Sequence, residues 1–329
     1  MTTLAPLLES FFIKRLMTER QASPETIASY RITFCLLLRF GEEQLGKAPS
    51  EIDISDLDAP LIGAFLEHLE HERHNSATTR NARLAAIHSL FRYAALRAPE
   101  HAAVTQRVLA MAGPRTHRAT VTFLEPDEVK ALLASPDLSV WAGRRDRALL
   151  AIAIQTGLRV SELTGLRRDD VDLGTGAHVR CAGKGRKERC TPLTTGSVTL
   201  LRSWLHEQPG LPSDPAFLSL RGGALSADAV QALVARHVQT AAQHCPSLGA
   251  KAVTPHTLRH TCAMSLLRSG VPIEVIALWL GHERTETTQI YLHADLSIKE
   301  RALSKTVPID VRPGRFRPSD PLLAFLESL

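Results

Sequence analysis

The chain has 329 residues, with 39 Lys and Arg against 34 Asp and Glu, a formal net charge of +5 and a sequence pI near 9.1. That length suits two domains that each bury a core of their own. Five scattered cysteines without a CxxC pair argue against a disulfide framework or a zinc site, and there is no cleavable leader and no apolar run of about 18 residues. The default setting is therefore a reducing cytoplasm, away from a membrane. The charge is unevenly placed: residues 1–113 hold 12 basic and 13 acidic side chains, residues 114–329 hold 27 and 21. The second part is the better candidate for strong phosphate contact.

Residues 4–20 carry Leu4, Leu7, Leu8, Phe11, Phe12 and Leu16 at helical spacing. Ser23-Pro24-Glu25 starts a second helix with Ile27, Tyr30, Ile32, Phe34 and Leu37, running to about residue 40. Pro60 opens a third helix through residue 71, and Ser76 caps a fourth over residues 77–96, with Leu84, Ile87, Leu90 and Phe91 at core spacing. A short helix near residues 101–111 completes an all-helical domain of residues 1–112. The fourth helix begins Thr78-Thr79-Arg80-Asn81-Ala82-Arg83, and Thr78, Thr79, Arg80 and Arg83 suit a DNA backbone. Read alone, the same turn is a solvated cap. His68, His71 and His74 recur every three residues, but no carboxylate or fourth ligand is in register, so they read as a solvated helix face.

Gly113-Pro114-Arg115-Thr116-His117-Arg118 reads as a linker, placed at residues 113–121. A second domain follows over residues 122–305. Helices are expected at 125–133 and 144–155, the latter stopping before Gly157. Residues 171–181 and 188–193 alternate loosely about Gly183-Lys184-Gly185, a β-hairpin expected within a small three-stranded sheet. Further helices are expected around Trp204 and over 226–245. The predicted class is mainly α with a small β-sheet: a helical domain followed by an α+β domain. Residues 306–329 are a Pro- and Arg-rich extension, then a short helix with Leu322, Leu323, Phe325, Leu326 and Leu329.

The chemistry concentrates between Thr254 and His293. Thr254 can cap a helix whose first residue is Pro255, which places His256 and Arg259 three apart on one face. A second helix from Pro272 ends at Gly281, so His282 projects from a helix end, and Tyr291 follows nine residues later. Arginine clamps a phosphate with two parallel hydrogen bonds. Arg159 in Thr156-Gly157-Leu158-Arg159-Val160-Ser161-Glu162-Leu163 offers a second clamp, and Lys184 in Gly183-Lys184-Gly185-Arg186-Lys187-Glu188-Arg189 offers a donor. Read singly, Tyr291 is a half-buried core tyrosine, Arg159 a surface cap, His282 a partner for the helix dipole, and His260 and His293 structural groups. Glu162 reads as a brace for Arg159 or a neighbour.

Arg159, Lys184, His256, Arg259, His282 and Tyr291, in that order, resemble the active-site series of the tyrosine recombinases of the phage integrase and Xer type. The motifs TGLRVSEL, GKGRKER, HTLRH and LGHERTETTQIYLH carry the resemblance, which spans residues 7–305 with no departure at the six positions. It implies a SAM-like core-binding domain before the catalytic domain. It also implies strand exchange without metal, ATP or other cofactor: Tyr291 attacks a DNA phosphodiester and forms a 3′-phosphotyrosyl link. Arg159 and Arg259 would hold the non-bridging oxygens, His256 would assist the tyrosine proton, Lys184 would protonate the leaving 5′-oxygen, and His282 would support the transition state. Lys187 is a rival for the lysine role, and with Arg186 a candidate DNA contact.

The implied partners are double-stranded DNA with a specific core site and a tetramer of this chain on two sites. The family also admits accessory recombinases or DNA-bending proteins. The C-terminal helix would dock on a neighbouring protomer, unless it packs on its own domain. The expected role is movement of a mobile element, with Xer-type dimer resolution as the alternative. A topoisomerase that cleaves without exchange, or a non-catalytic DNA-binding relative, would be the competing classes.

Overall fold

The computed structural model describes residues 4–114, 121–182, 188–282 and 286–294. The chain divides into two compact units, Met1–Arg118 and Ala119–Leu329.

In the first unit, α1 (Leu4–Ser10) runs directly into a π-helical stretch, Phe11–Glu19. Phe11 and Leu16 are both buried and stand five apart, one π-turn, so the wider helical period keeps both on the core. α2 (Pro24–Leu45) begins where the Ser23 hydroxyl accepts from the Thr26 amide. It runs past the expected end near residue 40, because the left-handed C-cap is Gly46 at φ 65°. Ile32, expected in the core, is 44% exposed; Phe34 and Leu37 face inward. α3 (Ala59–His71) and α4 (Ala77–Ala94) are capped by Asp58 and Ser76, and α5 (Ala102–Leu109) closes the unit. Its core centres on Phe11, Phe34, Phe65, Phe91, Ile52 and Ile54.

The second unit opens with α6 (Pro126–Ala134), α7 (Trp141–Thr156) and the short α8 (Val160–Thr164). An antiparallel sheet follows in the order β1 (Val171–Asp172), β2 (His178–Ala182), β3 (Glu188–Pro192). The continuous strand expected over 171–181 is broken by a turn with Gly176 at φ 75°. The register sets Cys181 opposite Arg189. Then come α9 (Thr195–Glu207), α10 (Ala227–Ala242), α11 (Pro255–Arg268), α12 (Ile273–Leu280) and α13 (Glu286–Ala294). Leu149, Leu150, Ile152, Leu163, Val179, Trp204, Phe217 and Val234 fill the main core. A second cluster, Cys262, Ala263, Met264, Ile276, Leu280 and Tyr291, fastens α12 and α13 to α11. Among the described residues no helix is long and apolar enough to cross a membrane.

Candidate active site

The site is built on a helix end. α12 stops at Gly281, φ 64°, and the His282 amide donates back to the Ala277 carbonyl at 2.9 Å. This ending leaves the carbonyls of Trp279, Leu280 and Gly281 pointing outward at the negative pole of the helix. Each takes one arginine. Arg189 donates from Nε to Trp279 O at 3.1 Å, Arg259 from Nη2 to Leu280 O at 2.7 Å, and Arg159 from Nη2 to Gly281 O at 2.9 Å. The second Arg259 nitrogen donates to the carbonyl of Gly157, the φ 64° cap of α7. Two glycine-capped helices therefore seat the guanidinium of Arg259, which is only 2% exposed.

One carboxylate serves this group. Glu162 accepts Arg159 Nη1 at 2.8 Å and is forked by Arg189 at 2.9 and 2.7 Å. Burial alone would raise its pKa. The hydrogen bonds from Arg189 and the Arg159 backbone, with the Arg189 charge, override that and hold it at about 2. Among the described residues no carboxylate pairs with Arg259. Three guanidiniums against one carboxylate leave uncompensated positive charge in a sheltered place. Arg259 itself is pulled down to about 10, first by burial and then by Arg159, so it stays cationic at neutral pH. Guanidiniums so placed are able to bind an oxyanion.

The imidazoles are neutral. His282 falls to about 4 through burial and then the charges of Arg259, Arg159 and Arg189; its Nδ1 lies 2.7 Å from the Thr288 hydroxyl on α13. His256, in the first turn of α11, is lowered by desolvation and by Arg259 and Arg159. His260 is pushed to about 4 by burial, then by His256 and Arg259, and its Nδ1 meets the Tyr291 hydroxyl at 2.9 Å. Tyr291 is 1% exposed, and burial raises its phenol to about 12 against the opposing pull of Arg259.

Of the residues expected from the sequence, Arg159, His256, Arg259, His282 and Tyr291 thus gather around the end of α12. Lys184, Arg186 and Lys187 lie outside the described residues, as do residues 306–329. In the first unit Thr78 is exposed and Thr79 gives its amide to the Ser76 cap. Arg80 is 3.3 Å from Glu70, and Arg83 is spent internally on Ser29 O and the Thr33 hydroxyl, joining α4 to α2. Two residues carry more than the sequence suggested. Arg189 closes the GKGRKER motif, but only the strand register shows it turned towards Glu162. His260, read as structural, holds the phenol that was expected beside His256. Among the described residues no group of three or more His, Cys, Asp or Glu is placed to hold a metal ion.

The seat makes Gly281 intolerant of a side chain. A Cβ there would lie 2.8 Å from Arg189 Nη1 and 3.2 Å from its Cδ and Cζ, at a positive φ. Gly281→Ala is expected to lower the unfolding free energy by at least about 2 kcal/mol, above the roughly 1 kcal/mol of the conformation alone. Gly46→Ala, at nearly the same φ with nothing within 4 Å, isolates the conformational part. Equal urea midpoints for the two variants would remove the Arg189 contact from the explanation.

Comparison with known proteins places this geometry. The phage integrase family model matches residues 122–297, and the phage integrase N-terminal SAM-like domain matches residues 10–98. The protein named "Putative integrase/recombinase y4rC" of Sinorhizobium fredii is 57% identical over 327 residues, 99% of this chain and 98% of its own length. Tyrosine recombinase XerC of Pelotomaculum thermopropionicum is 32% identical over 306 residues, 90% of this chain and 96% of its own. Among solved structures, XerH site-specific recombinase bound to palindromic difH substrate superposes with TM-score 0.70 at 23% identity, over 87% of this chain and 81% of that one. The Tn1549 transposon integrase in complex with transposon right end DNA gives 0.67 at 16%, over 92% and 99%. These two share the fold. With an arginine cluster at a helix end beside a buried tyrosine, and family matches over both units, the chain belongs to the phage integrase family of tyrosine recombinases.

Proposed function

We propose that the chain is a site-specific recombinase that cuts and rejoins double-stranded DNA through a 3′-phosphotyrosyl link at Tyr291. The observation that carries this reading is the set of three arginines on three successive carbonyls, with Tyr291 packed against the same helix. A scissile phosphodiester is an anion that this arginine cluster would bind. Arg159 and Arg259 bind its non-bridging oxygens and stabilise the charge that gathers there in the transition state. Arg189 and Glu162 hold Arg159 in place. His282, its Nδ1 engaged by Thr288, turns its other nitrogen to the phosphate. Lys184 protonates the departing 5′-oxygen. The ester is conserved in the protein–DNA link, so rejoining by another 5′-hydroxyl needs no ATP.

Tyr291 is 1% exposed, so cleavage requires the phosphate to be admitted beside α13 while the phenol stays against His260. Strand exchange between two sites requires four protomers on double-stranded DNA. Relatives named XerH and Tn1549 integrase hold DNA in their solved complexes, which supports duplex DNA as the partner. Movement of a mobile element is the favoured role, supported by the 57% likeness to a protein named integrase/recombinase. Xer-type dimer resolution is the second reading, favoured by the XerC relative.

The test is capture of wild-type protein on a nicked suicide substrate. An adduct stable to denaturant, with the nucleotide mapped to Tyr291, is the expected result; no adduct on any genomic site, or one mapped elsewhere, ends the proposal. Sequencing the captured DNA separates the two roles. Arg259→Lys is expected to slow adduct formation by about 10²–10³-fold, because one ammonium cannot span both helix-end carbonyls and the phosphate. A rate within threefold of wild type would show that Arg259 is not a phosphate ligand.

A further inference from the structure

We propose that His260 takes the proton of Tyr291 during strand cleavage and returns it on rejoining, an inference that rests on the recombinase reading above. The residues themselves make the assignment. His260 Nδ1 is 2.9 Å from the phenolic oxygen, inside hydrogen-bond range. The imidazole is neutral at physiological pH, and in the tautomer with its proton on Nε2 the Nδ1 lone pair accepts from the phenol. Among the described residues no other side chain is hydrogen-bonded to the Tyr291 hydroxyl. Guanidiniums have no lone pair to offer. Glu162 is held ionised by two arginines and is a weak base. His282 Nδ1 is engaged by Thr288. His256, which the motif order would favour, touches the ring of His260 edge-on, with centroids 4.3 Å apart.

The titratable groups that lower His260 are His256 and Arg259 of its own helix, and Tyr291 faces it from α13. Burial is the first cause that disfavours an imidazolium there, followed by His256 and Arg259. A phosphodiester bound beside Arg259 would bring negative charge that opposes the Arg259 part of that penalty. In cleavage the Tyr291 O–H bond breaks and its proton passes to Nδ1. The oxygen pair forms the new P–O bond, and the P–O5′ bond breaks. Its electron pair leaves on the 5′-oxygen, which is protonated by Lys184. Rejoining runs the same steps backwards.

The experiment uses full-length protein on a nicked suicide duplex with either oxygen or sulfur at the 5′-bridging position. A thiolate leaves without a general acid, so sulfur rescues a missing leaving-group acid and not a missing nucleophile base. His260→Asn keeps an acceptor near the Nδ1 position but takes no proton. It is expected to bind DNA as wild type in gel shift and to cleave about 10²–10⁴-fold more slowly on both substrates, with the acid limb of the pH–rate profile gone. Lys184→Ala is expected to recover on sulfur. His260→Gln serves if the Asn variant melts early, and it is read by the same comparison. The inference is overturned if either variant cleaves within threefold of wild type with an unchanged pH profile, or if His256→Asn shows the sulfur-insensitive loss in its place. If wild type itself forms no adduct, the recombinase reading falls and takes this one with it; if wild type reacts and His260→Asn reacts equally, only this one falls.

Discussion

Tyr291→Phe is expected to abolish covalent capture of DNA while the protein stays folded and binds its duplex. The ring remains in the pocket of Cys262, Ala263, Met264, Ile276 and Leu280, so packing is retained. What is lost is one hydroxyl, the atom that would join phosphorus, together with its hydrogen bond to His260. The stability change should be about 1–2 kcal/mol, because a buried imidazole nitrogen is left without its partner. The rate change should be total, since a phenyl ring offers no oxygen to phosphorus. Parallel gel shifts, thermal melts and suicide-substrate assays separate the two effects. Any adduct formed by the Phe variant would move the nucleophile to another residue and dissolve the role given to α13.

The second large effect concerns stability. Glu162→Gln is expected to destabilise the catalytic unit by about 3 kcal/mol at neutral pH, since it leaves two sheltered guanidiniums without their counter-charge. The depressed pKa of Glu162 points to the same size. Glu162 is 5% exposed in its side chain, and its pKa falls from the ordinary 4.5 to about 2 on folding. At about 1.4 kcal/mol per pH unit the pairing contributes about 3 kcal/mol. The sign follows from the direction: a carboxyl with a depressed folded-state pKa stabilises the fold above pH 4.5, and that share fades as pH falls towards 2. Urea titrations between pH 7 and pH 2.5 should show wild type and Glu162→Gln converging as acid is added. A constant gap across that range would mean that Glu162 acts through shape and not through charge. Activity should fall in the same variant, because Arg159 loses the partner that aims it.

Much of the site could be read from residue order because its pieces are local. Thr254 caps α11 and Pro255 occupies its first position, as the sequence indicates, since a hydroxyl three residues before an amide needs nothing from the rest of the chain. Gly157 and Gly281 stop their helices for the same kind of reason. The apolar spacing in residues 4–20 announced a helix, but the π-turn at Phe11–Glu19 came from fitting Phe11 and Leu16 into one core. Arg83 looked like a free DNA contact at a helix start; the packing of α2 against α4 turned it inward to Ser29 and Thr33.

The sequence by itself determined the two-part organisation, the helix caps and which side chains could do phosphate chemistry. Tertiary structure alone decided who meets whom. Arg159 and Gly281 are 122 residues apart, Arg189 and Trp279 are 90 apart, and Arg259 reaches back 102 residues to Gly157. No periodicity encodes contacts over such distances. They exist because α7, α11, α12 and β3 converge on one helix end, where outward-facing carbonyls attract buried cations.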